Sequence, residues 1–121
     1  MRFRTSIIAI AIAPLLFALA TGGASAHALL DHAEPRVGNT VAAAPHDVTL
    51  WFTQKLEAAF STVTVTNAAG QRIDAGKPRV SGQQISVSLQ GGGTGVYHVT
   101  WHVLSVDSHS TDGNYTFTVG P

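Results

Sequence analysis

His27 gains an unusual chemistry if the chain is cut just before it, and the sequence provides for that cut. Arg2 and Arg4 precede an apolar stretch from Ile7 to Ala20, and small residues then lead to Ala24-Ser25-Ala26. These are the basic, apolar and A-x-A segments of a secretory signal peptide. We therefore expect residues 1–26 to be a signal peptide and residues 27–121 the mature domain. A terminal histidine offers its α-amine and its ring Nδ1 to one metal, closing a six-membered chelate. The amine has a reference pKa of about 8 and the ring about 6.5, so a metal displaces at most one proton at neutral pH. Nitrogen-rich tetragonal donor sets suit Cu(II), which also tops the Irving–Williams order.

A second pair of donors lies far along the chain, in Asp107-Ser108-His109. In extended backbone, residues two apart point to the same side, about 6.6 Å apart at roughly 3.3 Å per residue. A carboxylate and an imidazole so placed could converge on one ion. Taken singly, neither half is specific. Any cleavage leaves some first residue, and D-x-H triplets commonly sit in solvated turns. His32, His46, His98 and His102 are read as structural or surface residues. His32, five residues after His27, could face the same end of the domain. Asp112 and Gly113 are read as turn formers.

The elements that must position these donors read as strands. Val48, Leu50 and Phe52 alternate with Thr49, Trp51 and Thr53, the period of a strand with two different faces. Val63 and Val65 alternate with threonines before the turn Asn67-Ala68-Ala69-Gly70, which leads into Gln71–Asp74. Ile85, Val87 and Leu89 follow the same rule. A glycine-rich break at 91–95 precedes a long strand from Val96 to about Val106, with Tyr97, Val99, Trp101 and Val103 on one face. A last strand carries Tyr115, Phe117 and Val119. With an opening strand near Ala28–Ala33, about seven short strands result, and residues 54–60 have room for a single helical turn. The fold class is all-β, an immunoglobulin-like β-sandwich or Greek-key barrel. Trp101 should anchor its core among Phe52, Tyr97, Phe60 and Phe117, whereas Trp51 has no clear place.

Composition narrows the function. Beyond residue 26 the chain keeps five basic residues against seven acids, a formal net charge of −2, and has no basic stripe. Nucleic acid is therefore not an expected partner. No cysteine is present, so a core of about 95 residues must hold without disulfides, above the roughly 70–80 residues where staples become necessary. No second apolar run of membrane length occurs, so the mature part is expected to be soluble. A monomer is expected, although edge strands could pair.

Taken together, these features resemble the copper-resistance protein C (CopC) family of exported copper-binding proteins. The likeness spans the mature chain: His27-Ala28-Leu29-Leu30, Glu34-Pro35 and Gly38, Leu50-Trp51-Phe52-Thr53, and above all the run Gly95 to His109. That run reads G-x-Y-x-V-x-W-x-V-x-S-x-D-x-H and is followed by Gly113 and Phe117. The resemblance implies one Cu(II) per chain, bound by the amine and ring of His27 together with Asp107 and His109, three nitrogens and one oxygen in a rough square. It implies a periplasmic, non-enzymatic carrier or buffer in copper resistance, homeostasis or import, with no small-molecule substrate and with a membrane copper importer as partner.

Some members of the family carry a Met-rich Cu(I) site. Here Met1 is the sole methionine, so a Cu(II)-only type is implied. Gln54 replaces a carboxylate found in some relatives, and it and His32 are the residues that could tune the site. Ser110 replaces a proline of many relatives. The alternative is a mononuclear copper oxygenase using the N-terminal histidine. Asp107 in the metal plane, which would oppose reduction, and the small size of the domain argue against it.

Overall fold

The computed structural model describes residues 28–121, so the expected signal peptide and its product, the terminal His27, lie outside the described residues. The strands are β1 (Leu30–Glu34), β2 (Thr40–Val41), β3 (Asp47–Phe52), β4 (Thr62–Thr66), β5 (Asp74–Ser81), β6 (Gln84–Leu89), β7 (Gly95–Leu104) and β8 (Ser110–Val119). They form two four-stranded sheets, ordered β1-β3-β6-β5 and β2-β8-β7-β4, packed as a sandwich. Alternation in the sequence becomes burial here. Val48, Leu50 and Phe52 of β3, Val63 and Val65 of β4, and Tyr97, Val99, Trp101 and Val103 of β7 turn inward, against Tyr115, Phe117 and Val119 of β8. Each fully buried aliphatic or aromatic side chain contributes about 1.5–3 kcal/mol, which lets the sandwich stand without disulfides.

Among the described residues the strand count rises to eight because β2 is only two residues long, a parallel pair with the end of β8 that no periodicity reveals. The fifth strand lies at Asp74–Ser81 rather than Gln71–Asp74, and its pairing with β6 shifts between Ala75 and Arg79. That irregular strand is a sheet edge, where glycine and proline are tolerated. The helical turn expected between 54 and 60 is a 3-10 turn, Ala58–Phe60. Phe60 closes that turn in a connection rather than a strand, and is 64% exposed instead of joining the core.

Asp112 and Gly113 also depart from expectation. They lie inside β8, opposite His102 and Trp101 of β7. Gly113 is small because the Trp101 indole lies over it: a Cβ there would meet Trp101 Cζ2 at 2.1 Å. The β7–β8 hairpin, the longest ladder among the described residues, is thus locked by an inward indole near the end that carries Asp107 and His109.

The free edge of β4 is closed by side chain and loop. Asp74 Oδ1 accepts the Val65 amide at 2.9 Å, and the Ile73 amide donates to the Val65 carbonyl at 2.9 Å. Arg72 holds the same carboxylate through Nε and Nη2, at 2.9 and 2.7 Å. Exposed backbone groups on such an edge would otherwise offer a pairing template to another chain.

Candidate metal centre

At one end of the sandwich β7 stops and the chain turns through residues 105–109 into β8. The turn is built on Ser105. Its carbonyl accepts the Ser108 amide at 2.9 Å, and its amide donates to the His109 carbonyl at 2.9 Å. Ser108 takes the left-handed conformation at φ 74°. The D-x-H triplet is therefore a tight turn rather than extended backbone, because the hairpin must reverse within these few residues. Ser110 opens β8 opposite Leu104.

This turn brings Asp107 and His109 together. Asp107 Oδ1 lies 3.3 Å from His109 Nδ1, with the two side chains 38% and 46% exposed. Donors about 2.0–2.1 Å from a divalent ion in a square arrangement stand about 2.9 Å apart along its edge. The pair is thus spaced close to adjacent corners of such a square, and an ion can reach it from solvent. The Ser105 hydroxyl, fully buried, donates to Asp107 Oδ1. That hydrogen bond is the main reason the Asp107 carboxyl is held below the usual range. Partial desolvation opposes it, and neighbouring His109 adds to it. A carboxylate kept ionised is ready to coordinate without first losing a proton.

The start of the described chain is fastened to the same end. Ala28 is buried, and its carbonyl accepts the Thr111 hydroxyl at 2.8 Å. Leu29 is clasped on both sides by Thr53: its amide donates to Thr53 Oγ1 at 2.9 Å and its carbonyl accepts the Thr53 amide at 2.9 Å. Thr111 stands two residues beyond His109 on β8. Leu56, from the connection after β3, bridges to Ser105 and closes the floor.

The remaining histidines are placed elsewhere. His32 stacks on Trp51, centroids 4.3 Å apart and planes within 8°, with its Nδ1 2.7 Å from Asp31 Oδ2. This gives Trp51 the place that alternation alone could not assign. His98 and His102 face outward on β7, as expected, and His102 pairs with Asp112 across the hairpin. Among the described residues no three His, Cys, Asp or Glu side chains gather at one point, and the turn at this end brings together two candidate donors, Asp107 and His109. A shallow groove along β1, lined by Asp31, His32, Glu34 and Arg36, shares no residue with it.

Sequence reasoning named Asp107 and His109 but gave no role to Ser105, Thr53 or Thr111. Ser105 had a local signal, a hydroxyl two residues before a candidate carboxylate. Thr53 and Thr111 had none, because their partners lie 24 and 83 residues away.

Comparisons with known proteins agree with this architecture. Residues 30–120 match the family model described as the CopC domain. The chain is 38% identical over 113 residues to Protein YobA of Escherichia coli (strain K12), covering 90% of this chain and 91% of that one. It is 31% identical over 121 residues to Copper resistance protein C of Xanthomonas campestris pv. juglandis, covering 93% and 94%. Among solved structures, CopC from Methylosinus trichosporium OB3b superposes with a TM-score of 0.73 at 30% identity, covering 78% of this chain and 95% of that one.

Proposed function

The chain belongs to the CopC family, and from that premise we propose that it is an exported Cu(II) carrier or buffer. It would hold one ion per chain between a mature terminal His27 and the Asp107–His109 turn. The observation that carries this reading is the anchoring of Ala28 to Thr111, two positions beyond His109. Consecutive Cα atoms are about 3.8 Å apart. A chain starting at His27 therefore begins one residue from a point fixed beside the second half-site.

The division of labour follows from donor chemistry. Cleavage before His27 creates an amine that, with the ring, closes a chelate. Asp107 adds an anionic oxygen and His109 an imidazole, completing three nitrogens and one oxygen. Such a set favours Cu(II), and no cysteine or methionine beyond Met1 offers a soft ligand to Cu(I). The ion would be carried oxidised and handed on, in the periplasm, to a membrane copper importer. An anionic carboxylate ligand such as Asp107 would oppose the reduction that oxygen activation requires, which favours a carrier over an oxidising enzyme.

Mass spectrometry of the exported protein, with and without one equivalent of Cu(II), tests processing and stoichiometry together. We expect a chain beginning at His27 that takes up a single copper. A different first residue, or no uptake at one equivalent, contradicts the proposal. Sustained peroxide formation from the copper-loaded protein with ascorbate and oxygen would point to the enzyme instead.

A further inference from the structure

We propose that Ser105 is the positioning residue of the metal site, and that its hydroxyl fixes the carboxylate of Asp107 for coordination. This rests on the reading of Asp107 as a ligand. Ser105 touches the turn through three groups, and they do different work. Its amide and carbonyl bind the His109 carbonyl and the Ser108 amide, which any residue at this position could do. Its hydroxyl reaches both Asp107 Oδ1 and, at 3.1 Å, the His109 carbonyl.

A serine hydroxyl has one proton, so it donates to one of these at a time. The His109 carbonyl is already served by the Ser105 amide. The carboxylate is charged, and hydrogen bonds to ionised acceptors are roughly twice as strong as neutral ones. The proton therefore goes to Asp107. Ser105 is fully buried, so packing fixes the donor itself.

The oxygen it holds is the one that faces the imidazole: Asp107 Oδ1 is both the Ser105 acceptor and the atom 3.3 Å from His109 Nδ1. A partly exposed aspartate would otherwise sample several rotamers. Tethered, it keeps one oxygen beside the second donor before any metal arrives. Hydrogen bonds of this outer kind typically change metal affinity 10–100-fold when removed.

The test is a double-mutant cycle on the mature protein, with Cu(II) alone as probe and a competing chelator to read affinity. Ser105→Ala keeps both backbone bonds, and the freed carboxylate is exposed enough to take water, so the apo protein should fold. We expect its Cu(II) affinity to fall about tenfold or more, with a changed Cu(II) electron paramagnetic resonance spectrum. In an Asp107→Ala background the same substitution should cause no further loss. An unchanged affinity and spectrum in Ser105→Ala would overturn the proposal. So would an equal loss in both backgrounds, which would show that Ser105 acts through the fold. Native affinity in Asp107→Ala alone would instead remove Asp107 from the ligand set, a failure of the underlying reading.

Discussion

Substituting Gly113 by alanine should damage the hairpin that carries Asp107 and His109, although Gly113 touches neither. The added Cβ would lie 2.1 Å from Trp101 Cζ2, 2.6 Å from Cε2 and 2.7 Å from Cη2. Carbon atoms pack at about 3.5–4.0 Å, so the indole must retreat by roughly 1.4 Å. It has little room. Trp101 is buried, edge-on to Phe52 at 5.8 Å and tilted against Tyr115 at 6.5 Å. Overpacking of this kind costs about 1–3 kcal/mol, and so severe a clash belongs at the upper end. Alanine restricts the unfolded chain more than glycine, which returns about 0.4–1 kcal/mol. A net loss of about 2 kcal/mol lowers the melting midpoint by about 8–16 °C in a domain of this size. Thermal melts followed by far- and near-ultraviolet circular dichroism would read the loss and the disturbed tryptophan together. Gly92→Ala is the control, since its Cβ would meet only the Ala44 Cβ at an ordinary 3.4 Å. A Gly113→Ala midpoint within about 2 °C of native, with an unchanged near-ultraviolet spectrum, would refute this account of the packing.

Two further outcomes follow from the hydrogen bonds. Thr111→Val keeps the side-chain shape but removes the donor to the Ala28 carbonyl. A bond worth about 0.5–1.5 kcal/mol should raise the Cu(II) dissociation constant by up to roughly 2–12-fold, the limit in which the bond acts wholly by holding the N-terminus in place, and an unchanged constant in a chelator competition would show that the anchor does not serve the metal. Asp74 should contribute to acid sensitivity. The Arg72 side chain chiefly, and the Val65 amide, hold its carboxyl below the usual range while burial opposes them. The unfolded chain therefore takes up the proton more readily. The stabilisation is complete above the unfolded value of about 3.9 and is lost as pH falls through the lower folded one. Melts between pH 7 and 2 should show a shallower acid decline for Asp74→Asn than for the native protein, and superimposable declines would contradict this.

The β-sandwich was legible because period-2 alternation is a direct image of a two-faced strand. Tyr97 to Val103 and Tyr115 to Val119 read correctly for that reason. What escaped depends on contacts across the sheets. Gly113 looked like a turn former because glycine commonly is one, and only the Trp101 ring lying across the ladder reveals its purpose. Phe60 looked like core by residue type, but the 3-10 turn that carries it faces solvent. At the end that carries the candidate site, Asp107 and His109 were visible as candidate donors two residues apart. The turn geometry that joins them was not, since it rests on Ser105 bonds and a left-handed Ser108. Thr111 and Ala28, 83 residues apart, meet only once the sheets have formed.

If the free N-terminal histidine and the Asp107–His109 turn form one copper site, Cu(II) affinity must depend on the terminal amine. Competition with a chelator would compare the protein starting at His27 with the same protein carrying one extra residue before it. The extension converts the terminal amine into an amide and removes the chelate. It should weaken binding more than substitution of any of His32, His46, His98 or His102. Equal affinity of the extended and native forms would contradict the account.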